Sequence, residues 1–253
     1  MVATRSHPEY ASSQMLDGIE GFLKTGGNLM YPGGNGFYWV TDLSNDGNSI
    51  EVRRPMGTHP WTSEPGKARR QFSGDIGGLW RARGRPPQKL TGVGFATQGW
   101  TAHAQCGLAR PYAQSEARDD PRFADLFDGI DKKALIGDFL SLGLGRGAAG
   151  YEIGRAGHKL GTPPQAVFPG SATGFSVVYQ QAIEERCQID SDSLQQDDAN
   201  IHADLVWFDT SAGGAVFSVG SINWISCVTH NDCNNNVSTL TNNVLLRMLK
   251  TNT

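Results

Sequence analysis

The chain has 253 residues and a mass of 27.3 kDa, which is enough for one large domain or two small ones. Hydrophobic residues make up 38% of it and charged residues 19%, a balance that predicts a folded core and excludes a disordered chain. The formal net charge of -3 argues against nucleic acid as the main partner, because binding to the phosphate backbone requires a basic surface. No apolar run approaches the length of about 18 residues that a membrane-spanning helix needs.

Cysteine and glycine usage indicate where the chain works and how it folds. Four cysteines are too few for a disulfide scaffold, and residues 1–8 lack the apolar segment of a signal peptide, so we expect a cytoplasmic protein. Glycine is unusually frequent, because it accounts for 32 of the 253 residues, whereas its usual share is about 7%. The chain is therefore expected to be rich in turns and close backbone approaches.

The first 40 residues predict a strand, a helix and a second strand. Residues 1–4 form a short apolar segment, and Ser12 or Ser13 can cap a helix whose apolar residues share one face. These apolar residues are Met15, Leu16, Ile19, Phe22 and Leu23. Gly26-Gly27 ends the helix and Leu29–Tyr31 forms the next strand, so the two strands are expected to be parallel.

The middle of the chain contains one clear hairpin and a long irregular stretch. The hairpin joins Trp39–Leu43 to Ile50–Val52 through a turn that contains Asp-Gly. Residues 56–130 are dense in Gly, Pro and Arg, and we expect a long excursion over the surface with a strand near Leu90–Phe95. The segment Ala134–Ile153 is apolar but interrupted by glycines, and a short helix followed by a tight loop is compatible with it.

The last part of the chain predicts a mixture of strands and helices. Ala166–Phe168 is typical of a buried strand, Phe175–Cys187 of a helix and Ser191–Asn200 of a polar connection. Ala203–Asp209 and Ala215–Val219 flank a Gly-Gly pair and predict an antiparallel hairpin. The chain ends in a helix whose apolar face carries Val237, Leu240, Val244, Leu245, Met248 and Leu249. The sum is a mixed α/β domain with a parallel start and an antiparallel finish.

The segment Ser6-His-Pro-Glu-Tyr10 is the first candidate for chemistry. It follows the first predicted strand, and ligands bind at the carboxyl ends of parallel strands. Pro8 stiffens the turn that carries His7 and Glu9, so a metal-binding carboxylate and a general base are both compatible with the pattern. The alternative is a solvated turn in which Glu9 only caps the following helix, and a lone His-x-Glu pattern favours that alternative.

A second candidate, Pro32-Gly-Gly-Asn-Gly36, follows the second predicted strand. Its glycines allow the backbone and the Asn35 amide to approach a bound group. No obvious helix follows, so this is not a dinucleotide-binding motif, and an ordinary glycine-rich turn explains the pattern equally well.

A third candidate, Glu152, ends the glycine-rich segment Gly145–Glu152. A buried glutamate with a raised pKa could activate water as a general base. The competing interpretation is an ion pair with Arg146 or Arg155, which is the commoner role of a single glutamate.

The remaining motifs are weaker. Cys227, His230 and Cys233 mix metal-ligand types, but their number and spacing do not match a closed zinc site, and two reduced cysteines beside a loop are expected. The basic segment Gly77–Arg85 carries one aromatic residue and indicates arginines that pin a loop rather than an RNA-binding surface. Spacing alone nominates no Ser/His/Asp or Cys/His triad.

Several segments occur together in an order that resembles a known family. They are Ser6–Tyr10, Gly33–Trp39, Gly77–Arg81, Gly84–Leu90, Gly92–Phe95, Leu135–Asp138, Gly147–Gly150, Gly161–Pro164, Ser171–Phe175 and Gly213–Ser221. This order resembles the C-terminal region of the large (β) subunit of N,N-dimethylformamidase and its relatives. The resemblance covers nearly the whole chain, and the combination is much more specific than any one segment.

The resemblance implies a single C-terminal amidohydrolase-like domain over residues 1–253, with a glutamine-amidotransferase-like three-layer α/β core that lacks the Cys nucleophile of that class. Residues 1–40 would form its βαβ start, 56–130 an irregular insertion and 131–253 the remainder of the core. The implied activity is hydrolysis of small N-substituted formamides, such as dimethylformamide to formate and dimethylamine. The resemblance is compatible with a small partner subunit and a homo-oligomer, and it implies neither nucleic acid nor membrane as a partner.

The resemblance also implies a mononuclear ferric iron held by two Tyr phenolates and one Glu carboxylate. Glu9 matches that carboxylate, and hard anionic oxygens suit a hard ferric ion. The iron would act as a Lewis acid on the formamide carbonyl or on bound water. His7 and Asn35 match pocket residues that hydrogen-bond the substrate, water or the developing oxyanion, and Glu152 matches a pocket acid whose implied role is general base.

The chain departs from the family pattern at the iron ligands. The family's two Tyr ligands lie upstream of the His-Pro-Glu turn, and Tyr10, Tyr31 and Tyr38 do not match their positions. We therefore expect an N-terminally incomplete version of a longer subunit, with an unpaired apolar edge at its first strand and little iron when alone. Two interpretations remain open: part of an iron-dependent amidohydrolase, and a non-catalytic remnant or assembly module that keeps the fold without metal.

Overall fold

The computed structural model describes residues 1–54, 64, 66–99, 108–141, 145–182 and 198–250. These residues form a mixed α/β structure with several sheets and few helices. The helices are α1 (Ser13–Lys24), α2 (Pro87–Thr91), α3 (Trp224–Val228) and α4 (Asn236–Lys250). The strands are β1 (Val2–Ala3), β2 (Tyr10–Ala11), β3 (Leu29–Tyr31), β4 (Trp39–Leu43), β5 (Ile50–Val52), β6 (Gly94–Gln98), β7 (Ala113–Gln114), β8 (Leu140–Ser141), β9 (Gly145–Arg146), β10 (Glu152–Arg155), β11 (Val167–Ala172), β12 (Gln180–Gln181), β13 (Ala203–Asp209) and β14 (Ala215–Ser218).

The largest sheet has the strand order β1-β3-β14-β13-β11-β7. Strands β1, β3 and β14 are parallel, whereas β13, β11 and β7 pair antiparallel to their neighbours. The predicted parallel start and antiparallel finish are confirmed. Between β1 and β3, the Ser12 side chain caps α1 by accepting a hydrogen bond from the Met15 amide at 3.2 Å, and Gly26 turns the chain at φ +86°.

Both faces of the sheet are buried, and the side chains of a strand point alternately to one face and the other. Leu205 and Trp207 of β13 pack in one cluster with the apolar face of α4, while Val206 and Phe208 pack in another with α1. The terminal helix is thus confirmed, and its buried residues are Val237, Ser238, Leu240, Val244 and Met248. Helices lie on both sides of the sheet, which leaves its strand ends as the place for a site.

Two smaller sheets flank the main one. The predicted hairpin of β4 and β5 is confirmed, and β2 adds a parallel pairing to β4 that puts Tyr10 opposite Trp39. In the other sheet, β6 lies between β10 and β12. The β13–β14 hairpin is confirmed as well.

The expected surface excursion over residues 56–130 is confirmed for most of residues 66–77, which are exposed, and is wrong for the side chains buried in the described residues after them. Large aromatic side chains at Trp80, Tyr112, Phe123 and Phe127 are buried there. Glycine-rich sequence suggested exposure, but these side chains bury enough apolar area to hold irregular backbone against the core.

The strand expected near Leu90–Phe95 starts later than predicted. Helix α2 occupies Leu90 and Thr91 of that range, since it begins at Pro87 and Gly92, at φ +82°, ends it. Strand β6 then begins at Gly94.

The helix expected over Phe175–Cys187 is wrong over residues 175–182. Val177 and Val178 lie in a turn, and β12 follows directly, paired with β6. Residues 183–187 and 191–197, and with them most of the expected polar connection, lie outside the described residues.

Between residues 134 and 153, the described residues contain no helix and instead form a β8–β9 hairpin and the start of β10.

Among the helices that the structure describes, none has both the length and the apolar character to cross a membrane.

Candidate active site

The candidate site lies at the carboxyl ends of the parallel strands β1, β3 and β14. The segments that follow these strands contact one another through their backbones. The Gly34 amide donates to the Ser6 carbonyl at 2.9 Å, and the Ser221 amide donates to the Gly33 carbonyl at 2.9 Å. The sheet therefore brings the two motifs predicted at this edge into contact.

Strand β10 reaches the same edge from a distant part of the sequence. Ile153 forms an isolated antiparallel bridge with Ser221, and the Ile222 amide donates to the Glu152 carbonyl at 3.3 Å. This pairing places the first residue of β10, Glu152, beside the loops that carry His7 and Asn35.

The Glu152 carboxylate is the centre of the cluster. Asn35 Nδ2 donates to Glu152 Oε2 at 2.8 Å, and His7 Nε2 lies 2.8 Å from the same oxygen. The competing ion pair with Arg146 does not form, because Arg146 pairs with Asp138 at 2.9 Å. The Glu152 side chain is 11% exposed, so two donors from two different loops hold a nearly buried carboxylate.

Glu9 lies on the other side of the imidazole. Its Oε2 atom is 3.6 Å from His7 Nε2, and its Oε1 accepts a hydrogen bond from the Trp39 indole at 2.9 Å. The interpretation of Glu9 as a helix cap is wrong, since Ser12 caps α1. All four predicted site residues (His7, Glu9, Asn35 and Glu152) therefore lie in one cluster.

The two carboxylates control the charge of His7. Burial lowers the pKa of His7, but the hydrogen bond and charge of Glu152 and the charge of Glu9 outweigh it, so that the net pKa is raised. The imidazole consequently keeps its second proton to a higher pH than a free imidazole does, and Nε2 can donate to Glu152.

Asn35 is held in an unusual conformation. Its φ is +45°, and Phe37 two residues later has φ +57°, both in the left-handed region that non-glycine residues avoid. Tyr151, directly before Glu152, has φ +62°. Among the described residues, three of the six non-glycine residues with positive φ thus lie at the site, and the other three are consecutive at residues 231–233.

The Asn35 side chain also carries an unused acceptor. It is 4% exposed, and its Oδ1 atom has no hydrogen-bond partner among the described residues. Because buried polar atoms are normally paired, this oxygen is suited to accept a hydrogen bond from water or from a ligand donor.

Two glycines of the second motif are required by close backbone approaches. A Cβ atom at Gly33 would lie 2.2 Å from the Ser6 carbonyl oxygen, and one at Gly34 would lie 2.4 Å from the Glu152 carbonyl oxygen. The glycines thus allow the loops that carry His7, Asn35 and Glu152 to meet, rather than forming an ordinary turn.

The described residues do not complete the implied ferric site. Burial and the charge of Glu152 raise the pKa of Tyr31 well above its usual range, although the Gly36 amide, which donates to its oxygen at 2.6 Å, opposes this. Burial and the Glu9 charge also raise the pKa of Tyr10. Both phenols therefore resist the deprotonation that a phenolate ligand needs. Among the described residues, no group of three or more His, Cys, Asp or Glu side chains is arranged to hold a metal ion.

The weaker motifs lie outside this cluster. Cys227 is buried and Cys233 is exposed, while the His230 ring stacks on Phe139 with centroids 4.1 Å apart.

The residue that sequence reasoning missed is Trp39, which was assigned only to a hairpin strand. Its contact with Glu9 follows from the parallel β2–β4 pairing, for which the short strand β2 gives no periodic signal.

Comparison with known proteins gives one consistent result. A family model described as "N,N-dimethylformamidase beta subunit-like, C-terminal" matches residues 1–235. The chain is 35% identical over 252 residues to the N,N-dimethylformamidase beta subunit of Alcaligenes sp., which covers 99% of this chain and 32% of that protein. It has the same identity and coverage, 35% over 252 residues, 99% of this chain and 32% of the relative, with the protein of the same name from Paracoccus aminophilus. The chain thus spans about a third of the length of these relatives.

Proposed function

Because the chain belongs to the N,N-dimethylformamidase β subunit-like family, we propose that it is the C-terminal part of an iron-dependent amidohydrolase that acts on small N-substituted formamides. The observation that carries this proposal is the convergence of His7 and Asn35 on one oxygen of Glu152, with Glu9 on the far side of the imidazole. A histidine whose pKa is shifted by two carboxylates, at the carboxyl ends of parallel strands, is a candidate for a functional site.

Glu152 acts as the general base in this proposal. It takes a proton from water as the water oxygen bonds to the formyl carbon, and the proton then passes to the amine nitrogen as the C–N bond breaks. The products are formate and an amine. A general base of this kind contributes about 10²–10⁴ in rate. The two hydrogen bonds at Oε2 hold the carboxylate still for this transfer.

His7 and Asn35 bind and orient. The protonated His7 places positive charge beside the oxygen that becomes negative during attack. The unpaired Oδ1 of Asn35 accepts a hydrogen bond from the attacking water, whose second proton faces Glu152. Both roles use groups that the fold already holds in place.

Glu9, whose carboxylate also accepts a hydrogen bond from the Trp39 indole, would supply one carboxylate ligand to the ferric ion. The ion would supply Lewis-acid activation of the carbonyl or of water. The two Tyr ligands that the family resemblance implies would come from polypeptide upstream of residue 1, so this chain alone should retain little iron and be inactive. The β-subunit names of the relatives support assembly with a partner subunit. We further propose a glutamine-amidotransferase-like core, supported by helices on both faces of a partly parallel sheet, and a cytoplasmic location, supported by sparse cysteine.

The experiment is to compare this chain with the full-length gene product, measuring bound iron and formate released from N,N-dimethylformamide. The chain alone should contain little iron, lack the visible phenolate-to-iron absorption band and release no formate. The full-length protein should contain iron, show the absorption band and release formate. About one iron per chain in the short form would contradict the ligand assignment. A full-length protein that binds iron but hydrolyses no formamide would favour the alternative, a non-catalytic remnant or assembly module.

A further inference from the structure

Ser221 lies where two loops of the candidate site meet, directly after β14, and it is fully buried. Its main-chain amide donates to the carbonyl oxygen of Gly33 at 2.9 Å, two residues before Asn35. Its hydroxyl oxygen accepts a hydrogen bond from the Gly150 amide at 2.8 Å, two residues before Glu152. One residue therefore contacts both the segment that carries Asn35 and the segment that carries Glu152.

The Ser221 hydroxyl is held in one position by several partners. Besides the Gly150 amide, Oγ accepts a hydrogen bond from the Asn223 amide at 3.1 Å. It lies 3.2 Å from the carbonyl oxygens of Ala148 and Gly150, either of which can accept its single proton. The side chain of Tyr112 also hydrogen-bonds to it. A buried hydroxyl with this many partners fixes the backbone of residues 148–150 against the end of β14.

The loop before Glu152 is fixed at its other end as well. Asn223, which is 1% exposed, donates from Nδ2 to the Gly147 carbonyl oxygen at 2.8 Å. Tyr151, between Gly150 and Glu152, has φ +62°, a conformation that leaves the chain little choice of direction. The position of Gly150 consequently determines where the chain enters β10.

Three hydrogen bonds hold the backbone around the proposed general base. The Gly99 amide donates to the Tyr151 carbonyl oxygen at 2.7 Å, and the Ile222 amide donates to the Glu152 carbonyl oxygen at 3.3 Å. The third is the bond from the Gly150 amide to Ser221 Oγ. Of these three, only the third uses a side chain, so it is the one that a substitution can remove.

We propose that Ser221 is a positioning residue whose hydroxyl holds Glu152 in reach of Asn35. This inference rests on the proposed function, because only there does Glu152 act as the general base. Without the hydroxyl, the Gly150 amide loses its acceptor and the chain that leads into β10 is free to shift. The bond from Asn35 Nδ2 to Glu152 Oε2, which is 2.8 Å long, would then weaken. A small displacement of a reacting group is enough to slow a reaction.

The test compares Ser221→Ala with a matched control, Ser218→Ala. Ser218 lies in the same strand segment, is equally buried, and donates from its hydroxyl to the Thr91 carbonyl oxygen in α2. Each variant removes one buried hydroxyl, so both should lose stability. Only Ser221 has a side chain bonded to the loop before Glu152, so the two variants separate positioning from a general loss of stability.

The first readout is the side-chain amide of Asn35 in ¹H–¹⁵N spectra of this chain, identified by its absence from the spectrum of Asn35→Gly. In Ser221→Ala these amide protons should shift upfield, because their bond to the carboxylate weakens. In Ser218→Ala they should keep their wild-type positions. An unshifted Asn35 signal in folded Ser221→Ala would overturn the inference.

Hydrogen exchange of the Gly150 amide gives a readout in the wild-type chain, where folding of a variant is not at issue. This amide should be protected in the wild type and should exchange faster in Ser221→Ala. The Gly154 amide, which donates to the Gly220 carbonyl oxygen at 2.9 Å, should stay protected in both and report that β10 is intact. Rapid exchange of Gly150 in the wild type would show that the hydroxyl does not hold this loop.

The second readout is formate release by the full-length gene product. In Ser221→Ala, kcat should fall by about tenfold to 100-fold while KM for N,N-dimethylformamide stays unchanged. In Ser218→Ala, kcat should stay close to that of the wild type. Equal losses of kcat in both variants would contradict the positioning role. If the wild type releases no formate, the general-base role of Glu152 fails with the proposed function, whereas the Asn35 signal still decides whether Ser221 positions Glu152.

Discussion

Asn35 and Glu152 are 117 residues apart in the sequence and share a hydrogen bond, from Asn35 Nδ2 to Glu152 Oε2 at 2.8 Å. One residue follows β3 and the other begins β10, which bridges to Ser221, so the bond joins two parts of the chain that the fold brings together. The same bond orients the proposed general base, which makes stability and activity at this position dependent on one contact.

Substitution of Asn35 should separate the contribution of the bond from that of backbone strain. Asn35→Ala loses a hydrogen bond to a charged group, about 1.5–3 kcal/mol. It also places alanine at φ +45°, which adds about 1 kcal/mol. Asn35→Gly also loses the bond, but glycine adopts a positive φ without strain. The free energy of unfolding, measured with denaturant, should therefore be highest for the wild type, lower for the glycine variant and lowest for the alanine variant. An alanine variant as stable as the glycine variant would show that the left-handed conformation is not enforced.

The same Asn35→Ala variant makes a functional prediction in the full-length gene product. It should retain iron, because Asn35 is not a proposed ligand, and it should release formate more slowly, because Glu152 loses one of the two donors that orient it. Loss of the iron together with the activity would instead place Asn35 in the metal site.

Gly34→Ala should open the site. Its Cβ would lie 2.4 Å from the Glu152 carbonyl oxygen and 2.8 Å from the Ile222 amide, and neither backbone can yield easily. We expect the free energy of unfolding to fall by about 1–3 kcal/mol, measured by urea denaturation.

The control for Gly34→Ala is Gly18→Ala in α1, where no atom lies within 4 Å of the added Cβ. Alanine is the better helix former by about 1 kcal/mol, so this variant should be slightly more stable than the wild type. A Gly34→Ala variant with the melting temperature of the wild type would show that Gly34 does not approach the Glu152 backbone as closely as the structure has it.

The elements that were predicted correctly are those whose signals are local. Helix α1 shows a helical apolar stripe and a serine cap, and the β13–β14 hairpin is marked by its glycine pair. The error at 175–182 has a non-local cause. Phe175 and Tyr179 have helical spacing, but Gln180 and Gln181 pair with β6, and the Tyr179 ring lies against Gly99, which is distant in sequence.

The same distinction applies to the site, where positions marked by local sequence signals were predicted and contacts that depend on distant pairings were not. His7, Glu9 and Asn35 follow strands of a recognisable parallel unit, so their shared edge could be inferred from the sequence. The contact between Glu152 and these residues depends on β10 bridging to Ser221, and the contact of Trp39 with Glu9 depends on the β2–β4 register. Strands this short have no alternating sequence pattern from which either pairing could be predicted.

The two cysteines that the structure describes should differ sharply in reactivity. Burial raises the pKa of Cys227 to about 11, although Ser226 and Ser141 oppose it, whereas Cys233 is exposed. At pH 8, a thiol with such a pKa is ionised in only about one molecule in a thousand.

This difference can be measured with a thiol-specific reagent at pH 8. Cys106 and Cys187 lie outside the described residues and are first replaced by serine. The folded protein should then react rapidly at one thiol, Cys233, and at both only after denaturation. Rapid reaction of two thiols in the native state would mean that Cys227 is not packed as the structure shows.

The proposed mechanism gives Glu9 and Glu152 different roles in one site, and measuring bound iron and formate release in the same samples of the full-length gene product separates these roles. Glu9→Ala should lose both the metal and the activity, whereas Glu152→Gln should keep the metal and lose about 10²–10⁴ in turnover. Glu152→Gln with wild-type turnover, or Glu9→Ala with unchanged iron and formate release, would contradict the account.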